Sequence, residues 1–304
     1  MNFSVPPGRD EFHHGLLGNT EGAAHTVPIH DQGYRRYAGV RTPGRGWWVI
    51  ASTTLRGELR RKRVIALLLV SWLPFLVRAV MLYVGANFQQ AAFLAATPQT
   101  FREFLGWQNV FVFFVAILIG AGLIADDRRA NALQIYLSRP LTRTEYIVGK
   151  LAVLGAFLGF ITWVPVMLLL LLQMLFSGST QFLREHLFLF PAATVFCATQ
   201  ILVSSLAVLA LSSLSNSRRF VAIMYAGVIF FTEAMYRPLV RTTGSELWTL
   251  ISPGNTMDVL ADRVFRLSTP PPAPLPAAVA VLIALAIASI VVLERRVRGV
   301  EVVS

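Results

Sequence analysis

Few residues in this 304-residue chain have the types and spacing for chemistry. His13, His14, His25 and His30, with Asp31, are metal-ligand types, but their spacing matches no standard site and they read as scattered histidines of a polar arm. His186 lies between apolar runs, so no run carries a histidine and no nucleophile–base pair can be assembled for a membrane-embedded hydrolase. Cys197 is the only cysteine, which excludes an intrachain disulfide and a cysteine-based metal site. Gly149-Lys150 is followed by Leu151 rather than Ser or Thr and lacks a glycine-rich approach, so it is not a phosphate loop, and any ATP would have to be bound by another polypeptide. What remains is charge in costly places. Arg78 and Glu233 fall inside apolar runs, where a charge at mid-bilayer costs about 2.5–3.5 kcal/mol. Each should therefore face a polar interior, a partner, or a membrane face close enough to reach water, and pairing with one another stays open. A further charged group, Asp126-Asp127-Arg128-Arg129, marks the point where an apolar run ends.

The elements that must position these charges are apolar helices. At 55 % hydrophobic, 14 % charged and a mean hydropathy of +0.60, the chain is no ordinary soluble domain, which would carry about 25 % charged residues. Six runs approach the roughly 20 helical residues that a bilayer needs: Val64–Val84, Trp107–Ala125, Lys150–Phe176, Phe188–Leu214, Phe220–Tyr236 and Ala277–Leu293. The last two are the shortest; the third and fourth are long enough to tilt. The predicted fold is an all-α integral membrane protein with six transmembrane helices. No internal repeat supports an inverted-repeat transporter.

Net charge is +11, from 27 Lys+Arg against 16 Asp+Glu. In a soluble chain that balance would suggest nucleic acid; in a membrane chain the expected partners are anionic lipid headgroups and no nucleic acid. Segments 45–63, 126–150, 215–219 and 294–304 hold 16 of the cations, whereas 85–106, 177–187 and 237–276 hold six. The positive-inside rule then puts both termini in the cytosol, and an even number of spans agrees. The dominance of arginine over lysine points to a GC-rich bacterial genome and hence a bacterial inner membrane. The first long run starts at Val64, too late for a cleaved signal, so residues 1–45 are expected to be retained as a flexible cytosolic arm. In 46–63, Trp47, Ala51, Leu55 and Leu59 recur every four residues before Arg60-Arg61-Lys62-Arg63. This is the pattern of an interfacial helix, or else a cytosolic extension of the first span; Gly57 weakens a continuous helix. Pro74 and Pro165 are expected to kink the first and third spans. Ser204, Ser205, Ser212 and Ser213 give the fourth a small-residue surface for a dimer seam or intrachain packing.

Residues 122–150 carry the most information. Ala130, Leu133 and Leu137, with Asn131 and Gln134 opposite, suit a helix of about two turns, which Pro140 stops. Thr142 and Glu145 then form a capping box for the third span, with Leu141 and Tyr146 placed as a staple. A helix, a sharp break and a firm cap make a segment able to transmit force. The outer segment 237–276 reads as two short amphipathic pieces broken at Pro253-Gly254, followed by the extended run Thr269–Pro276.

The run Gly-x-Ile-x-x-Asp at 122–127, then Leu-x-x-Tyr-Leu-Ser-Arg-Pro-Leu-Thr-Arg-x-Glu-Tyr-x-x-Gly-Lys at 133–150, resembles the permease subunits of type-2 ABC exporters. Tyr34–Arg41 and Trp47–Leu59 are similar to the N-terminal portion of that family. The resemblance implies that 126–149 is a cytoplasmic coupling segment docking on a separate ABC ATPase. Leu133, Tyr136, Leu137, Ser138, Arg139, Pro140 and Arg143 would face the ATPase. It also implies two ATPase copies and a second permease chain, identical or related. Many members carry a glutamate where this chain has Asp126-Asp127, which leaves the choice between the two aspartates open. Rival readings are a secondary transporter, for which Glu233 would be the lone intramembrane carboxylate, and a mechanochemical scaffold that uses ATPase force without moving solute.

Overall fold

The computed structural model describes residues 46–88, 96–131, 142–177, 187–267 and 273–297, and the described residues contain helices and no strand. Six helices are long and apolar enough to cross a membrane: Lys62–Asn87, Pro98–Arg129, Arg143–Phe176, Leu189–Leu214, Arg218–Thr243 and Leu275–Arg296. Each matches one of the six predicted runs. The fifth and sixth are longer than hydropathy suggests, at 26 and 22 residues, because arginines at their ends hide helical turns from an apolar count.

Helix α1 (Gly46–Leu59) runs through Gly57 and ends before Arg60 and Arg61, so it is no straight extension of the first span. Its side chains Ile50, Ala51 and Glu58 are buried, and it packs on the start of the third span. Trp47 and Leu55 are half-buried, while Trp48 and Val49 point outward.

Three of the spans are broken, two of them beside a proline. The first comprises α2 (Lys62–Ser71) and α3 (Leu73–Asn87), with Pro74 just after the break. Backbone polar groups released inside a membrane must find partners. Here the Ser71 carbonyl accepts from Gln108 Nε2 of the second span at 3.2 Å. The second span runs as α4 (Pro98–Val115), a π-helical turn Ala116–Gly120, α5 (Ala121–Leu123) and α6 (Ala125–Arg129). Ser212 of the fourth span bridges this last break. Its Oγ accepts from the Ile124 and Ala125 amides at 3.2 and 3.0 Å and donates to the Ala121 carbonyl at 2.9 Å. The third span bends at Thr162 between α7 (Arg143–Ile161) and α8 (Trp163–Ser177), three residues before Pro165, whose ring cannot return a hydrogen bond.

The fourth span is α9 (Leu189–Leu214) and the fifth α10 (Arg218–Thr243). A 3₁₀ turn Glu246–Ile251, α11 (Pro253–Val264) and the sixth span α12 (Leu275–Arg296) complete the described elements. The break in the outer segment lies at Ser252, one residue earlier than predicted, because Pro253 takes the first helical position where a missing amide costs nothing. Met257, Leu260 and Ala261 of α11 enter the same core as Phe101, Phe104 and Phe196. The second, third and fourth spans form the interior of the chain. The first and fifth leave large apolar side chains outside, Leu69 at 70 % and Ile223 at 69 % exposed.

Candidate functional site

Sequence adjacency brings the end of the second span and the start of the third to one end of the bundle. The capping box forms as predicted: Thr142 Oγ1 accepts from the Glu145 amide at 3.2 Å, and Glu145 Oε2 accepts from the Thr142 amide at 3.0 Å. This cap fixes the first turn of α7, whose helical repeat then places Tyr146 and Lys150 four residues apart on one face. Both are buried, and both point at α6.

Asp127 is the acceptor. Lys150 Nζ lies 2.7 Å from Asp127 Oδ2, and Tyr146 Oη donates to the same oxygen at 2.7 Å. The Lys150 side chain is only 4 % exposed and that of Asp127 19 %, so the pair is shielded from solvent. A buried ion pair needs further hydrogen bonds to offset its desolvation, and Tyr146 supplies one. Asp126 takes a different role, 4.0 Å from Arg218 Nη1 at the start of the fifth span. Asp127, not Asp126, makes the buried contact with Lys150. Arg128 Nη1 donates to the Ser213 carbonyl, setting a cation on the C-terminal end of α9 where the helix dipole favours it. The helix stops at Arg129; Ala130 is in a turn and Asn131 has φ 51°, a left-handed conformation that Asn tolerates.

Close backbone approach locks this end further. A Cβ on Gly149 would sit 3.0 Å from the Trp47 carbonyl and 3.1 Å from Ile50 Cβ, so glycine lets α1 lie against α7. Gly122 likewise leaves room for Asp126, whose carboxylate would be 2.7 Å from an added Cβ. Glu58, at the end of α1, is buried beside Arg61, which reaches it at 2.9 Å. Burial pushes its carboxyl above the ordinary 4.5, against the opposing pull of Arg61 and Arg218.

Of the residues expected to face a partner, Arg143 is exposed at the first position of α7, lining a cavity of about 630 Å³ with Glu294 and Arg295. Leu133, Tyr136, Leu137, Ser138, Arg139 and Pro140, and the staple residue Leu141, lie outside the described residues, as do the histidines of the N-terminal arm. Among the described residues no group of three or more His, Cys, Asp or Glu is placed to hold a metal.

Arg78 and Glu233 do not meet. Arg78 Nη2 contacts Glu103 Oε2 at 3.1 Å and its guanidinium lies 5.2 Å from the Trp107 ring centroid. Glu233 accepts from Ser252 Oγ at 2.7 Å and Asn255 Nδ2 at 3.4 Å, so α11 folds back onto the fifth span at that level. Nearby, Arg102 of the second span binds Asp258 and Asp262 of α11 at 3.0 and 2.9 Å. Sequence reasoning missed Lys150 as an ion-pair partner, Ser212 as a bridge and the Arg102 clamp. The four-residue spacings Tyr146/Lys150 and Asp258/Asp262 were the readable signal, since each puts two polar groups on one helix face.

Six membrane-length helices, with their polar chemistry spent on tying helices together, define a multi-pass membrane protein. Residues 48–296 match the family described as ABC-2 family transporter protein, and the chain belongs to that family. The resemblance read from residues 122–150 therefore holds over most of the chain. Members are membrane transport components that in general work with ABC ATPase subunits. Compared with curated proteins, the chain finds no significant match.

Proposed function

We propose that this chain is the permease subunit of an ATP-driven ABC exporter, with ATP and Mg bound by a separate ATPase. Two ATPase copies would serve two permease chains, identical or related, in a bacterial inner membrane with both termini cytosolic. Closure of the ATPases would push on segment 130–140, and movement of the first, second and fifth spans would open a path for substrate to the outside. Family membership supports the broad reading. The observation that carries the coupling role is the clamped base of the segment. Asp127, Lys150 and Tyr146 join its two flanking helices, and the Thr142–Glu145 cap stiffens the second of them. Force applied to the segment would therefore reach both spans together instead of being lost in a loose connection.

The test is purification of the full chain from its native membrane in detergent, with mass spectrometry of what stays bound. An ABC ATPase should co-purify with the wild type and be lost from the Leu137→Asp/Arg139→Glu variant, which should still insert and fold. A folded, abundant wild type without an ATPase would overturn the reading and bring the secondary-transporter alternative forward.

A further inference from the structure

At the same end of the bundle, the starts of the first and fifth spans flank an open cavity of about 590 Å³, with the second span behind it. Arg61, Lys62, Arg63, Arg218 and Arg219 line its polar part, and Val64, Ile117, Leu118 and Ala222 its apolar part. Two of the five cations have acidic neighbours: Arg61 binds Glu58 at 2.9 Å, and Arg218 lies 4.0 Å from Asp126. Among the described residues no carboxylate lies within 4.0 Å of Lys62, Arg63 or Arg219. The helices themselves add positive charge. Both α2 and α10 begin here with no acidic residue in the first turn and no side-chain cap, and each opens on two cations. That is the reverse of what a helix dipole favours at its positive end. Five cations and two positive helix ends around one cavity repel one another, and an anion between them relieves that repulsion.

We infer that this cavity binds a phosphate-bearing anion, and that its occupant is the headgroup of an anionic phospholipid. The phosphate chemistry follows from the arginines that line the cavity, whose forked N–H donors match phosphate oxygens. The lipid follows from the walls: below the cations the lining turns apolar, so a tethered acyl chain has a surface to lie on, which a free phosphate would leave uncovered. The site lies between two spans at the membrane-edge end of the bundle, where such lipids are held in basic pockets. Arg218 also neighbours Asp126, so headgroup and coupling end would share one arginine. This inference goes beyond the exporter reading and does not depend on it.

Native mass spectrometry of the full chain in detergent, titrated with phosphatidylglycerol, phosphatidylcholine or inorganic phosphate, tests it. Wild type should retain phosphatidylglycerol in preference to phosphatidylcholine. Arg63→Gln/Arg219→Gln should bind it roughly tenfold to thirtyfold more weakly. Arg63→Lys/Arg219→Lys, which keeps the charge but loses the guanidinium fork, should bind more tightly than the Gln variant and less tightly than wild type. By contrast, Arg295→Gln/Arg296→Gln, which removes the same charge elsewhere at that end, should bind as wild type does. Equal loss in the Arg295/Arg296 variant, or none in the Arg63/Arg219 variant, would reduce the cations to diffuse surface attraction and overturn the site. Displacement of phosphatidylglycerol by millimolar inorganic phosphate would overturn the lipid as occupant.

Discussion

Two ion pairs at opposite ends of this helical bundle, Lys150–Asp127 and Arg78–Glu103, use the same chemistry, cation against carboxylate, to different degrees of burial. At the end carrying residues 126–150, Lys150 and Asp127 are shut away from solvent and share a tyrosine hydroxyl. At the other end, the Arg78–Glu103 and Arg102–Asp258 pairs each leave a carboxylate more than 40 % exposed. An exposed pair contributes about 0–1 kcal/mol, whereas removing one partner of a buried pair costs about 3–5 kcal/mol. The first end is thus built as a clamp between consecutive spans. The second joins Arg78 to Glu103 in a contact that water can replace, and ties α11 to the second span through Arg102, whose partner Asp262 is the more buried of its two carboxylates.

The comparison breaks most readily at Asp127. Asp127→Ala strands Lys150 in a shielded site and should destabilise the protein by about 3–5 kcal/mol, read as a large drop in the thermal unfolding midpoint in detergent. Adding Lys150→Met should recover much of the loss, since an apolar replacement of both partners leaves no charge buried; a double variant no better than Asp127→Ala would mean the pair is not shielded as described. Next comes Ser212→Ala, which leaves the Ala121 carbonyl and the Ile124 and Ala125 amides without their shared partner. A loss of about 1–3 kcal/mol is expected by the same unfolding measurement, with faster hydrogen exchange confined to 121–125. Glu103→Gln at the opposite end should cost under about 1 kcal/mol, and a larger effect would erase the contrast between the ends.

The smallest effect concerns pH. Because burial raises the Glu58 carboxyl above 4.5, the folded chain takes up that proton at a higher pH than the unfolded chain. Stability from this group therefore falls as pH rises through the window just above 4.5 and is flat beyond it. Glu58→Gln should remove that slope from unfolding midpoints measured across the window; an unchanged slope would place its origin elsewhere.

Much of the architecture was legible because its signals are local. Apolar length gives the six spans, and spacing within four residues gives the Thr142–Glu145 cap. The positions of Pro74 and Pro165 forecast two of the breaks, since a missing amide acts on its own turn. The break at Ile124 has no such mark in the residues around it; it persists because Ser212, about ninety residues away, satisfies the released backbone.

The sequence by itself determined that this is a six-span helical protein with its cations gathered on alternate connections, because hydropathy and charge are properties of short stretches. Only the tertiary structure decided which charge meets which. Asp127 rather than Asp126 takes Lys150, Arg78 takes Glu103 rather than Glu233, and Arg102 reaches α11, some 160 residues on. Ionic attraction carries no sequence address. Any of several carboxylates could serve a given arginine, and the partner is chosen by which helix faces the packing brings within 4 Å.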